Sequence, residues 1–568
     1  MTAAVPKKNV AEGLVAILEA VGIDTCFGVP GGQTLPFYQA ARERGFNHVL
    51  MRDERNCACA ADAYARVSGR VGLCDATVGP GATNLVSGLA EAYASSIPMI
   101  ALIADMQSSK EHLRHRGIVA QALEQRPLLE PVCKWVGRVQ TPEMLADIVE
   151  HALRIATTGR CGPVVIEVPE EVMPAEIASL DLQRFTPHSA IWPRHRPAAP
   201  AASIAQAVTL LSESQRPIIL AGGGAMASGA YEEVAALADR FGIPVVTSLN
   251  GKGIIDESHV KAYGPIGLFG TTSGSHALLQ ADTVLVLGSK YTQYNTFGWA
   301  LPTQGQTLIQ IDSDAEELGR AIPAALEIQA DVRSTLQQLI VAMEAAALNF
   351  SWQPQGEVPL QPGTDDNDPA VAPEAVVEAL NNVFAENTIV VSDASLSSGW
   401  TGSRHKVRQA GRGYLAPRGC AGLGWACGAA IGAALAAPKD TRVIVMAGDG
   451  ASAYWLGEIE TAVRLNLPIT FVVLNNAGFG WVVQCERAMG FEQKSTFVPV
   501  DFAAVGAAMG TGHARAVSLE EVEQGLQRSA DQAGPFVLDV LSSDLSTPTV
   551  DFQNLAPESK AKTDAYSV

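Results

Sequence analysis

Residues 443–481 read VIVMAGDGASAYWLGEIETAVRLNLPITFVVLNNAGFGW. The runs 443–446 and 469–474 are compact and rich in β-branched residues, the pattern of short, fully buried strands. Between them Trp455, Leu456, Ile459, Ala462, Val463 and Leu465 recur at helical spacing, so the stretch predicts a βαβ unit. A parallel crossover brings both loops that follow its strands to the carboxyl edge of the sheet. Gly448-Asp449-Gly450 follows the first strand, and Asn475-Asn476 comes after 24 intervening residues at the end of the second. Asp449 and Asn476 are therefore expected to meet. A carboxylate oxygen, an amide oxygen and the backbone carbonyl of Gly478 suit a hard cation whose other octahedral positions take phosphate oxygens and water, and Mg²⁺ fits that set. The N–H groups of Gly450 and Ala451, at the turn into the helix, favour a diphosphate. Either motif alone reads equally well as a tight turn or a strand-end cap. The pair at this spacing, bracketed by two strands, is much more specific.

Working outward, a chain of 568 residues exceeds one hydrophobic core and predicts roughly three or four domains. Hydrophobic content of 47% and charged content of 17% are those of a globular protein. A net charge of −19 argues against nucleic acid or an anionic membrane as a partner. Residues 1–8 lead into a helix whose apolar face is interrupted by Glu12 and Glu19, which is not a signal-peptide pattern. The uncharged run 419–438 is of membrane-spanning length, but it is mostly Gly and Ala and reads as a glycine loop followed by a tightly packed buried helix. The nine cysteines are odd in number and scattered, and Cys57 and Cys59 lack paired zinc spacing, so reduced thiols in a cytoplasm are expected.

Earlier in the chain, a helix over 9–22 and strands at 24–29, 48–51, 72–78, 99–104 and 163–168 alternate with glycine-rich turns. This is the grammar of an open, doubly wound parallel sheet. The segment 184–201 reads as a linker. A second βα series begins at Arg216-Pro217 with a strand, Gly222-Gly223-Gly224 and a helix, and the pattern repeats at VVTSLNGKG (245–253), DTVLVLGSKY (282–291) and LIQIDSDAEELG (308–319). That glycine turn lacks a full GxGxxG, and nucleotide binding and close helix packing stand at even odds for it. A second linker covers 351–373, and the last series runs from a helix near Ala372 through strands at 388–391 and 535–540 to a polar, mobile tail.

With GDG followed by NN in this setting, the chain resembles the thiamine-diphosphate (ThDP) enzymes, in particular the catalytic subunits of the acetolactate synthase group, along nearly its whole length. The resemblance implies an α/β protein of three doubly wound parallel-sheet domains. These are a pyrimidine-binding domain at 1–185, a central Rossmann-like domain at 186–350, a linker at 351–372 and a diphosphate-binding domain at 373–568, with the first and third sharing a duplicated layout. It also assigns roles. Glu54 matches the glutamate that hydrogen-bonds N1′ of the aminopyrimidine, where a carboxyl group makes the 4′-amine a base toward C2 of the thiazolium. As a plain first-turn helix acid it would need no such partner. Leu423 matches the apolar wedge between the two rings, and the carbonyl of Ala421 the acceptor for the 4′-amine. Ser395 and Ser397 fall in the second phosphate-side loop. Gly448, Asp449, Gly450, Ala451, Asn476 and Gly478 hold the diphosphate, with Asp449, Asn476 and Gly478 on the metal.

On the substrate side, Pro30-Gly31-Gly32-Gln33 and the turn 78–84 match the family's two active-site turns. Gly32 and Thr77 stand where decarboxylases of the family carry histidine proton donors, which tips the balance toward carboligation. Departures follow: Ala120-Gln121-Ala122 replaces F-Q-E, and Gly480-Trp481-Val482-Val483-Gln484-Cys485 keeps the family's glutamine but loses its tryptophan. Gln33, Gln121, Trp481, Gln484 and Cys485 are thus candidate substrate residues. The arginine loop that meets flavin is replaced by Gly288-Ser289-Lys290-Tyr291-Thr292-Gln293, which counts against FAD. The expected function is Mg²⁺- and ThDP-dependent decarboxylation of a pyruvate-like 2-oxo acid with ligation to a second carbonyl compound. The expected assembly is a homodimer or homotetramer whose subunits share active sites. Cleavage of an acyloin or diketone by a lyase or hydrolase, and a non-catalytic nucleotide-binding relative, are the alternatives.

Overall fold

The computed structural model describes residues 9–355, 369–550 and Leu555. The expectations for residues 1–8 and for most of the second linker and of the tail beyond residue 550 fall outside them, whereas residues 541–550, expected to be mobile, are tied down: Val550 N–H donates to the Leu268 carbonyl and Ser546 is buried. Three six-stranded sheets, all parallel, carry helices on their faces, as expected for the α/β class. In the first, β1 (Thr25–Gly28), β2 (Asn47–Leu50), β3 (Gly72–Ala76), β4 (Met99–Asp105), β5 (Trp135–Arg138) and β6 (Val164–Pro169) are ordered β2-β1-β3-β4-β6-β5. The central strands are buried on both faces, which is why they read as continuous apolar runs with no alternation.

The second sheet contains β7 (Pro217–Ala221), β8 (Val245–Thr247), β9 (Ala262–Pro265), β10 (Thr283–Leu287), β11 (Thr307–Asp312) and β12 (Leu326–Gln329) in the order β12-β11-β10-β7-β8-β9. That is the dinucleotide-fold order 3-2-1-4-5-6, counted from β7. Its glycine turn serves packing. A Cβ on Gly222 would stand 2.2 Å from the Gly288 carbonyl oxygen, and one on Gly224 2.7 Å from the Gly288 Cα. The third sheet contains β13 (Thr388–Ser392), β14 (Tyr414–Leu415), β15 (Arg442–Gly448), β16 (Ile469–Asn475), β17 (Gly512–Ala516) and β18 (Phe536–Leu541) in the order β14-β13-β15-β16-β18-β17. First and third sheets therefore share one winding.

The chain forms two compact units. One is built from the residues up to His195 together with Pro417–Lys439 and Trp455–Leu467; the other from Arg196–Ala416, Asp440–Tyr454 and the chain from Pro468 on. In the first unit the Glu54–Ser68 helix, capped by Asp53 and stopped by left-handed Gly69, packs on the Ala426–Ala436 helix. The approach is so close that a Cβ on Gly432 would lie 1.9 Å from the Ala60 carbonyl oxygen, and one on Gly428 2.7 Å from that of Asn56. The Gly- and Ala-rich run 419–438 is thus a loop and a buried helix. No described helix is long and apolar enough to cross a membrane. None of the nine cysteines is in a disulfide bond.

Candidate active site

The strand order of the third sheet reverses between β13 and β15, so the loops leaving their carboxyl ends border the crevice where such sheets bind ligands. Gly448 closes β15, and β16 closes on Asn475 beside it. The two asparagines divide the work. The Asn475 amide donates to Asp539 Oδ1 and to the Val500 carbonyl, both at 2.8 Å, and ties β16 to its neighbours. Asn476 turns instead toward Asp449. One terminal atom of its amide lies 2.9 Å from the Gly478 carbonyl oxygen and 3.2 Å from Asp449 Oδ1. With nitrogen there, the amide donates to both. With oxygen there, three oxygens converge on one point, an arrangement that repels itself without a cation and ligates one when it is present.

Asp449 is positioned by backbone: its Oδ2 accepts from Gly478 N–H at 3.0 Å and its Oδ1 from Gly450 N–H at 2.9 Å. Burial nevertheless pushes its carboxyl up to about 6, against those two N–H groups that favour the charged form. Gly450 is required by space, since a Cβ there would meet the Phe479 ring at 2.7 Å. The neighbouring loop after β13 holds Ser395 in a left-handed conformation (φ +67°) and buries Ser397. Ala451 is buried in the same short turn as Asp449.

In the first unit, Glu54 opens its helix after β2, and its Oε2 accepts from the Asn84 amide at 3.0 Å. A Cβ on Gly81 would sit 3.3 Å from Glu54 Oε1, so the glycine turn leaves the carboxylate room. The loop bearing Ala421 and Leu423 belongs to the same unit. Ala421 is left-handed (φ +57°), and the Arg55 guanidinium donates to the Leu423 carbonyl. Three consecutive N–H groups of this loop converge on one buried carboxylate. Gly419 donates to Glu91 Oε1 at 2.9 Å, and Cys420 and Ala421 donate to Oε2 at 2.7 and 2.9 Å.

The two substrate turns also meet: Thr77 Oγ1 donates to Gln33 Oε1 at 2.9 Å, and a Cβ on Gly31 would strike Thr77 Oγ1 at 2.1 Å. Gly32 faces open space. Gln121 is exposed and left-handed, its carbonyl only 2.3 Å from where a Cβ on Gly79 would sit. In the second unit Trp481 packs edge-on against Phe269 at 4.9 Å between centroids. Gln484 donates to the carbonyls of Asp544 and Ser546 at 3.0 and 2.7 Å, which fixes the chain after β18, and Cys485 is half-buried beside it.

Three models of the thiamine pyrophosphate enzymes match the chain: the N-terminal TPP binding domain over residues 8–127, the central domain over 204–339 and the C-terminal TPP binding domain over 393–540. A probable acetolactate synthase large subunit of Methanocaldococcus jannaschii is 32% identical over 94% of this chain and 91% of its own length. This chain belongs to the acetolactate synthase-like thiamine pyrophosphate enzymes. Among other relatives, an acetolactate synthase large subunit of Corynebacterium glutamicum is 30% identical over 95% of this chain and 88% of its own length. A probable 2-ketoarginine decarboxylase of Pseudomonas aeruginosa is 29% identical, with 94% of each chain covered. For a thiamine pyrophosphate enzyme the donor set fits: the three converging oxygens suit a cation carrying a diphosphate. Glu91, Arg55 and Gln125, which accepts from Gly79 N–H at 2.8 Å, are supporting groups that sequence reasoning missed, whereas Asn84 lies in the turn 78–84 already singled out. Only Glu91 carried a local signal, an acid in the otherwise small and apolar stretch LAEAYAS.

Proposed function

We propose that this acetolactate synthase-like enzyme uses Mg²⁺ and ThDP to decarboxylate a 2-oxo acid and to join the remaining fragment to a second carbonyl compound. The bound cofactor supplies the carbon nucleophile and the electron sink. Asp449, Asn476 and the Gly478 carbonyl would hold Mg²⁺, with Gly448, Gly450, Ala451, Ser395 and Ser397 around the diphosphate. Glu54 would keep a proton at N1′, the Ala421 carbonyl would orient the 4′-amine, and Leu423 would bend the two rings toward each other. Glu54 of one subunit would serve the metal site of another, in a homodimer or homotetramer. Cysteines outside any disulfide are in keeping with a cytoplasmic location. The central sheet has a dinucleotide-type order but no arginine in its 288–293 loop, so FAD is left out of the reading.

The observation that carries ligation is the Thr77–Gln33 pair. The hydroxyl spends its proton on the glutamine at 2.9 Å, and neither turn holds an ionisable donor that would protonate the product early. The relative named as a 2-ketoarginine decarboxylase favours a second reading, in which the reaction ends in release of the aldehyde. One experiment separates them: turnover of a panel of 2-oxo acids with ThDP and Mg²⁺, following CO₂ and identifying the carbon product. An acyloin or acetohydroxy acid as main product supports ligation, and a free aldehyde refutes it. Cleavage of acyloins with no CO₂ from any keto acid would move the enzyme to the lyases.

A further inference from the structure

A second cluster of chemistry-bearing side chains lies on one face of the first sheet, apart from every residue assigned to ThDP or substrate. Cys26 of β1, His48 of β2 and Asp75 of β3 bring a sulfur, an imidazole nitrogen and a carboxylate oxygen within 4.8 Å of one another. Strand register brings them together: Cys26 pairs with His48, and Gly28, two residues on and on the same face, pairs with Asp75. Gly28 leaves the space they occupy. A Cβ there would lie 1.8 Å from Asp75 Oδ1 and 2.7 Å from the Tyr38 hydroxyl.

The bonding inside the cluster is lopsided. Asp75 Oδ1 takes all three donors, His48 Nε2 at 2.6 Å, the Tyr38 hydroxyl at 3.4 Å and the Cys26 thiol at 3.5 Å. Asp75 Oδ2 is buried with no partner, on a residue that is 0% exposed. A buried carboxylate oxygen left without a donor forfeits its hydration with nothing in exchange, so such an oxygen calls for a ligand.

We propose that Cys26, His48 and Asp75 form a binding site for a thiophilic divalent cation of the zinc class. Cys26 Sγ, His48 Nε2 and a carboxylate oxygen of Asp75 would be its protein ligands. One sulfur, one nitrogen and one oxygen suit such an ion, whereas Mg²⁺ prefers oxygen alone. A dication balances one thiolate and one carboxylate, leaving the buried site neutral. Burial and the adjacent Asp75 carboxylate hold the Cys26 thiol well above its ordinary range, so binding must release the thiol proton while the imidazole binds neutral. A cavity of about 640 Å³, bordered by Pro30, Leu35, Tyr38, Arg42, His48 and Leu50, reaches the cluster at His48. It gives the ion a way in and leaves a fourth, tetrahedral position for water. The ion would pin β1, β2 and β3 to one another just before β1 runs into the turn that carries Gly32 and Gln33.

The test uses the full-length protein, stripped with a chelator, reloaded with Mg²⁺ and ThDP, and titrated with Co²⁺. The expected result is a thiolate-to-cobalt charge-transfer band with tetrahedral d–d absorption, saturating at about one equivalent and abolished by Zn²⁺. Cobalt at an all-oxygen Mg²⁺ site gives no thiolate band. Cys26→Ser should remove the band, and Cys420→Ser and Cys485→Ser should keep it. No thiolate band in natively folded wild-type protein, or a band that survives Cys26→Ser, overturns the proposal. Should Cys26→Ser fail to fold, His48→Gln decides in its place: loss of the imidazole must weaken cobalt binding by at least ~10-fold, and an unchanged affinity refutes the site.

Discussion

Glu91 is 2% exposed and holds the loop that presents Ala421 and Leu423. Glu91→Gln keeps the shape of the side chain and removes its charge. The glutamine oxygen can replace Oε2 and keep the N–H groups of Cys420 and Ala421, but its NH₂ then faces the Gly419 N–H, which loses its acceptor. The Ser95 hydroxyl, which now donates to Oε1 at 2.6 Å, can turn to accept from that NH₂. Arg66, 3.6 Å from Oε1, keeps its closer partner Asp62 at 2.7 Å. One stranded N–H costs about 1–3 kcal/mol, and two bonds that are no longer charge-assisted lose about 1 kcal/mol between them, for a total of ~2–4 kcal/mol. The loss falls on the loop, so its opening should become ~30- to 700-fold more frequent, at 1.4 kcal/mol per tenfold. Amide hydrogen exchange over residues 419–425 reads this directly, and ThDP affinity should weaken in step. Unchanged exchange in these amides, with the variant folded, would refute the anchoring role.

Three further outcomes are expected. Glu54→Gln should still bind ThDP while slowing exchange of the C2 proton by ~10²–10⁴-fold, measured by NMR of the bound cofactor; wild-type exchange would remove Glu54 from catalysis. Gly432→Ala drives a methyl group toward the Ala60 carbonyl and should cost about 1–3 kcal/mol or more in urea unfolding, whereas Gly457→Ala, whose Cβ would meet only the Arg52 side chain at 3.5 Å, should stay near neutral. His405 is buried and donates to Asn381 Oδ1 at 2.8 Å, and burial lowers its pKa to about 3, helped by Lys252 and Arg408. Below the unfolded value of ~6.5, the unfolded chain therefore binds a proton that the folded chain refuses. Stability should fall as pH drops from about 6.5 toward 3, by at most ~1.4 kcal/mol per unit, and His405→Asn should flatten that slope; equal slopes in both proteins would contradict it.

Strands buried on both faces declare themselves as apolar runs, so β1, β3, β4, β6, β7, β10, β15 and β16 were legible along with the glycine turns after them. The strands not anticipated, β5, β9, β12, β14 and β17, are all at sheet edges. There β14 is only two residues long, and residues such as the GHARA of β17 carry little apolar signal. Asp449, Asn476 and Glu54 could be picked out because motif and strand end coincide. The partners of the Ala421–Leu423 loop could not, because Glu91 lies 330 residues before Ala421 and nothing local to either announces the other. Gln484 was singled out by a motif match, but the two bonds by which its amide also holds the chain after β18 are announced by nothing local.

The shared winding of the first and third sheets has a further consequence. The Glu54–Ser68 helix follows the second strand of one sheet, and the Ala426–Ala436 helix follows the second strand of the other. The two helices that pack together are therefore counterparts. The segments that open them, one carrying Glu54 and the other Leu423, therefore follow corresponding strands of the two windings, so the duplicated layout sets an acid and an apolar side chain at matching stages of the fold.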